Sequence, residues 1–225
     1  MFYYDSTMIL LLPAIIVTII AQYKISQAYR KYSKIDTERG YTGEQVAFNI
    51  LRENGIYDVD IELVNGHMTD HYDPRAKKLR LSRDVFYGRS IASVGIAAHE
   101  VGHAIQHNVN YAPLLLRNKI VPAVNFGASF SWLLFFMGLI LSIKPLLTIG
   151  IVLFSITVIF QIITLPVELN ASNRAIKSIV NMDLLNDNEV KGAKNVLFSA
   201  ALTYIAAALM AIMNLLRLIA LSRRD

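Results

Sequence analysis

At 225 residues, 54% of them hydrophobic, the chain is long enough for one substantial domain, yet its apolar residues gather into runs too long for an ordinary soluble core. The formal net charge is +5, and the basic residues stand beside those runs instead of forming a patch interleaved with aromatics; this favours a membrane surface and argues against nucleic acid. There is no cysteine, so disulfides and thiolate metal sites are excluded.

Residues 7–21 are almost uninterrupted apolar sequence, and helical continuation through Tyr23 to Ile25 makes the run long enough to span a bilayer, which needs about 20 residues. A cleaved leader fits poorly, because Asp5 and no positive charge precede the run and no small-residue cleavage pattern follows it. Lys24, Arg30, Lys31, Lys34 and Arg39 come next, placing that end in the cytoplasm and the N-terminus outside. Residues 41–54 read as an amphipathic helix with Thr42 as its cap and Gly55 after its end. Residues 59–64 read as a strand followed by the turn signal Asn65-Gly66, and a second strand is expected around Leu79 and Leu81, after Asp73-Pro74-Arg75. These pieces make a small α+β region over about 35–110.

That region ends in Ala97-Ala98-His99-Glu100-Val101-Gly102-His103-Ala104-Ile105-Gln106-His107, an H-E-x-x-H motif within an apolar stretch. Ser90 is the expected N-cap and Asn108 the expected end. On an α-helix, residues four apart lie about 40° apart around the axis and roughly 6 Å apart along it, so His99 and His103 can converge on one ion. Zinc takes neutral imidazole at about 2.0–2.1 Å, and a catalytic zinc keeps one position open for water. Glu100 stands one residue past the first ligand, where a carboxylate can take a proton from that water.

Residues 123–143 and 145–165 are two further apolar segments, separated only by Lys144 and its neighbours, and read as a transmembrane hairpin. Two crossings return the chain to the side of the H-E-x-x-H helix, where Pro166-Val167-Glu168-Leu169-Asn170-Ala171-Ser172-Asn173-Arg174 follows. A last apolar segment, 196–220, is expected to form a fourth span, although Arg223 and Arg224 would then end outside, against the positive-inside tendency. An interfacial position is the other option. The chain thus divides into an N-terminal span with its basic flank (1–34), a cytoplasmic α+β domain with the metal helix (35–122), a hairpin with the Glu168 helix (123–180), and a linker with a final span (181–225).

A catalytic zinc normally has three protein ligands. His107 continues the spacing of four but lies about 12 Å along the helix from His99, too far to share an ion. Glu168 is better placed, being an acid at the end of an apolar helix on the same side as the motif, and a carboxylate beside hydrocarbon is costly unless paired or metal-bound. An interfacial charge pairing with Arg174 is its bland alternative, and His67, His71, Glu62 and Asp70 remain weaker ligand candidates.

H-E-V-G-H-A-I-Q-H on a helix, preceded by Thr69-Asp70-His71-Tyr72-Asp73-Pro74-Arg75 and followed after two spans by L-P-V-E-L-N-A-S-N-R-A, resembles the bacterial neutral zinc metallopeptidases of the inner membrane, over most of the chain. More distantly it is similar to the HtpX-type and prenyl-protein membrane proteases. The resemblance implies an α-helical membrane protein with a small α+β, zincin-like domain and about four transmembrane helices, a hairpin lying between H-E-x-x-H and a ligand Glu. It implies one zinc ion per chain on His99, His103 and Glu168, with Glu100 as catalytic base. In the distant relatives the Glu helix usually continues Ala-Asp, whereas here Ala171 is followed by Ser172. Orientation of the ligands then falls to other groups, with Asn170, Ser172 and Asn173 as candidates.

The expected chemistry is peptide hydrolysis by an endopeptidase in the plasma membrane, its site facing the cytoplasm and its partners membrane lipid and a peptide or protein substrate, with no nucleic acid. His71, Tyr72, Arg174 and Tyr204 are candidates for substrate or oxyanion contacts. A zinc hydrolase of a non-peptide amide or ester, and a non-catalytic metal-binding scaffold, are the alternatives. The scaffold is disfavoured because a structural site would be closed by a fourth ligand.

Overall fold

The computed structural model describes residues 6–223; Asp5 and Arg224 lie outside them. After a 3-10 turn over Ser6–Leu11, the order is α1 (Leu12–Tyr32), α2 (Gly43–Glu53), β1 (Asp60–Val64), β2 (His71–Asp73), β3 (Lys78–Ser82), α3 (Arg83–Phe86), α4 (Ile91–Asn108), α5 (Ala112–Ile140), α6 (Lys144–Asn181) and α7 (Asp187–Ser222). Among the described residues, four helices are long and apolar enough to cross a membrane: Thr7–Tyr32, Ala112–Ile140, Lys144–Asn181 and Asp187–Ser222.

Contacts divide the chain into two compact units. The first holds Leu115–Pro166 with the chain up to Gln22 and from Thr203 onward. Here Phe135 and Leu147 are buried among Phe154, Val158, Ala211 and Leu218. A Cβ on Gly150 would lie 2.8 Å from Ser131 O, and one on Gly138 would lie 2.6 Å from Leu147 N. Small residues thus let α5 and α6 approach backbone to backbone, the usual way apolar helices associate when burial from water gives no drive.

The second unit, Tyr23–Leu114 with Val167–Leu202, is built around α4. α2 starts with a capping box in which the Thr42 hydroxyl accepts from Gln45 N–H and the Gln45 side chain accepts from Thr42 N–H. Its Val46, Ala47, Ile50 and Leu51 are buried against α4 and the sheet, as the amphipathic pattern requires. Gly55 follows at φ +68°, the left-handed conformation that ends a helix. The sheet order is β1-β3-β2, with β1 parallel to β3 and β2 antiparallel to it. The expected strands at 59–64 and around Leu79 and Leu81 are β1 and β3, and β2, between them in sequence, is an addition. Gly66 does turn, at φ +113°, but the chain passes into β2, and it is the Asp73-Pro74-Arg75 turn that folds β2 back on β3. At three residues, β2 is too short to show alternation, so nothing in the sequence pattern marks it. Asp70 anchors its start, accepting from Ser82 N–H at 2.7 Å and from the Ser82 hydroxyl.

α4 begins at Ser90, whose hydroxyl accepts from Ser93 N–H, and buries Val94, Ala97, Ala98, Val101 and Ala104. α6 continues through Pro166, well past the apolar segment 145–165. Proline removes one backbone hydrogen bond and crowds the preceding turn. The turns beyond it are held by packing, since Val167, Ala171, Ala175 and Ile179, four residues apart, all have 0% exposure.

Candidate metal centre

Three side chains from two helices of the second unit converge. On α4, His99 and His103 direct Nε2 toward Glu168 Oε2 of α6, at 3.3 and 3.5 Å. Glu168 is 4% exposed and His103 8%. Among the described residues this trio is the one His/Asp/Glu cluster with ligand atoms within 4.8 Å of one another. Donor atoms about 2.05 Å from a tetrahedral zinc are about 3.3–3.4 Å apart, so the observed separations are those of ligand edges.

The imidazoles are held from behind. Gln106 is fully buried, and its Nε2 donates to Val167 O at 2.8 Å and to Asn170 Oδ1 at 3.0 Å. A carbonyl can only accept, so the amide is fixed with Oε1 toward His103 Nδ1, 3.0 Å away. His103 Nδ1 must therefore carry the proton, leaving the Nε2 lone pair facing Glu168. Ser172 Oγ stands 3.1 Å from His99 Nδ1 and can hold that ring in the same tautomer. Two nitrogen lone pairs and a carboxylate oxygen gathered in a buried space are the donor set of a cation, and two His with one Glu suit zinc.

Gly102 makes the approach of α4 to α6 feasible. A Cβ there would lie 2.5 Å from Ala171 O, whereas at Gly95 the nearest atom, Ala193 Cβ, would be an ordinary 3.5 Å away. Gly102→Ala is expected to destabilise by about 1–3 kcal/mol and to impair metal retention. Gly95→Ala should be neutral or slightly stabilising, because alanine favours helix. Thermal unfolding of both variants beside the parent checks the contrast, and equal behaviour would refute it.

Glu100 lies on α4 beside this cluster, part-exposed but ringed by protein. Burial pushes its carboxyl up to about 7; Glu168 and Asp70 add to the shift, while the neighbouring His99 ring and the Tyr72 backbone oppose it. The strand β2 packs against α4 near this carboxylate.

The other candidates are dispersed. The Tyr72 hydroxyl is 2.8 Å from His107 Nδ1, which accounts for His107 as a partner of β2 at the end of α4. Burial, then Asp58 and Asp73, push the Tyr72 phenol up to about 12, so it stays neutral. His71 is exposed, with Nδ1 2.8 Å from Thr69 O and Nε2 3.3 Å from Arg80 Nη1. Arg174 Nε donates to Asn170 Oδ1 at 2.8 Å, which makes Asn170 a link between Arg174 and Gln106. Asn173 is exposed. Tyr204 belongs to the first unit. Of the weaker ligand candidates, His67 pairs with Asp84 at 2.9 Å, Glu62 with Lys78, and Asp70 is taken by Ser82.

Sequence reasoning missed Gln106. Its position three residues after His103 puts both on one helix face, and that spacing is the signal that could have found it. Gln106→Leu is expected to weaken zinc binding about 10–100-fold, the usual loss when a group orienting a histidine ligand is removed. Competition with a zinc indicator measures it, and unchanged affinity would rule out the orienting role.

Residues 7–223 match the family described as "putative neutral zinc metallopeptidase". The chain is also 50% identical over 207 residues, 91% of its own length and 92% of the relative's, to a protein of Bacillus subtilis (strain 168) described as "putative membrane protease YugP". No solved structure matches it. A match over nearly the whole length, with two imidazoles and a carboxylate at ligand spacing inside it, establishes that the chain belongs to this neutral zinc metallopeptidase family.

Proposed function

We propose that the protein is a zinc-dependent endopeptidase of the plasma membrane that hydrolyses peptide bonds on the cytoplasmic side. The observation that carries this reading is the pair of 3.3 and 3.5 Å separations joining both histidine Nε2 atoms to Glu168 Oε2, with His103 held by Gln106 in the tautomer that leaves Nε2 free to bind. His99, His103 and Glu168 are the metal ligands. A zinc ion held by them supplies Lewis acidity for a scissile carbonyl and lowers the pKa of a water.

The remaining work falls to the chain. Glu100 takes the proton of the attacking water on its carboxylate and delivers it to the departing amine. β2 is one of the two edge strands of the sheet, and its Tyr72 backbone lies near Glu100. An extended peptide added beside β2 would lie next to the base, and such pairing selects backbone conformation over side-chain identity. In this reading residues 35–122 form the cytoplasmic domain, and the two spans before Glu168 return the chain to its side.

The test is cleavage of casein by the purified full-length chain in detergent. A chelator should abolish it and added zinc restore it, with bound zinc measured in parallel. Cleavage that survives complete zinc removal would overturn the reading.

A further inference from the structure

The basic flank of α1 is not used by the metal centre. From Leu12 to Tyr32, α1 has no acidic residue, and it ends in Lys24, Arg30 and Lys31, with Lys34 just beyond. None of these four cations has an acidic ion-pair partner among the described residues. In the second unit α7 packs beside this end of α1. Gly192 makes room for the Tyr32 ring, which would lie 2.7 Å from a Cβ there. The two helices leave a groove of about 320 Å³ between them, lined by Lys24, Gln27, Lys31, Asn195, Phe198 and Ser199 with Ala28 and Tyr32.

The lining is that of an amphiphile site. Lys24 and Lys31 are two helical turns apart, about 10 Å along the axis, and offer two ammonium groups on one side. Gln27 and Asn195 add amide donors. Phe198, 61% exposed, and Ala28 supply apolar surface. On α7, Lys191 and Lys194 are exposed one turn before Asn195 and Phe198, adding positive charge. The groove lies where the apolar run of a membrane-crossing helix turns polar, the level of lipid headgroups.

We infer that the α1–α7 groove binds the phosphate headgroup of an anionic phospholipid, gripped by Lys24 and Lys31, with Phe198 against the acyl-chain side. A free phosphate would gain nothing from the apolar wall, and a zwitterionic headgroup would bring its own cation against the lysines.

Binding is tested on the delipidated full-length chain in neutral detergent by native mass spectrometry and by melting temperature, with phosphatidylglycerol, phosphatidylcholine and inorganic phosphate as probes. Phosphatidylglycerol should be retained one per chain and raise the melting temperature; the other two should do neither. A juxtamembrane lysine contributes roughly fivefold to such binding, so Lys24→Gln with Lys31→Gln should weaken retention about 25-fold. Lys24→Arg with Lys31→Arg should retain it, which separates lost charge from misfolding. Arg75→Gln with Lys177→Gln removes the same charge elsewhere and should change nothing. Equal loss in that control, equal retention of phosphatidylcholine, or equal stabilisation by inorganic phosphate would each overturn the site.

Discussion

Glu100→Gln is expected to lower peptide cleavage by about 10²–10⁴-fold, the usual contribution of a positioned acid–base group, while zinc content stays at that of the parent. The substitution keeps the side chain's shape, so its place on α4 beside the cluster persists. It removes the capacity to take a proton. Parallel measurement of zinc by mass spectrometry and of casein turnover separates the two properties. Parent-like turnover in the variant would assign the base elsewhere. If both forms hold zinc and neither cleaves any peptide, the endopeptidase reading fails, and a non-peptide amide or ester becomes the substrate to screen.

Glu168→Gln should weaken zinc binding by more than the 10–100-fold expected of a residue that only orients a ligand. The change is isosteric, so the packing of Val167 and Ala171 against their neighbours persists, and the two imidazoles keep their hydrogen bonds to Gln106 and Ser172. What disappears is the one negative charge among the three converging donors. Zinc affinity of this variant, set against Asn173→Ala on the exposed face of the same helix, measures the effect. An unchanged affinity in Glu168→Gln would remove it from the ligand set.

The parts legible from sequence are those whose cause is local or counted along the chain. The spacing of His99 and His103, the caps at Thr42 and Ser90, and the four long apolar helices follow from helical periodicity, orphan N–H groups and bilayer thickness. Glu168 was reachable as the acid that follows two apolar segments, and it does lie with His99 and His103. Where the cause is tertiary, sequence is mute or misleading. The apolar run stops at Leu165, but packing of Val167, Ala171, Ala175 and Ile179 carries α6 onward to Asn181. The strands around 59–64 and around Leu79 and Leu81 are legible, but their parallel pairing and the short β2 beside β3 are not. Of the residues expected around the ligands, Ser172 meets His99 and Asn170 meets Gln106, while Asn173 points to solvent. Which of three adjacent polar residues faces inward depends on the rotation of α6 about its axis, which no local pattern sets.

The Gln106 amide spans 61 residues of sequence to reach Val167. During synthesis at about 5–20 residues per second, the histidine helix leaves the ribosome several seconds before its carboxylate partner exists. Throughout that interval the nascent chain carries the two imidazoles without the carboxylate that converges on them. The three converging donors can thus meet only after α6 has been made and has packed back against α4.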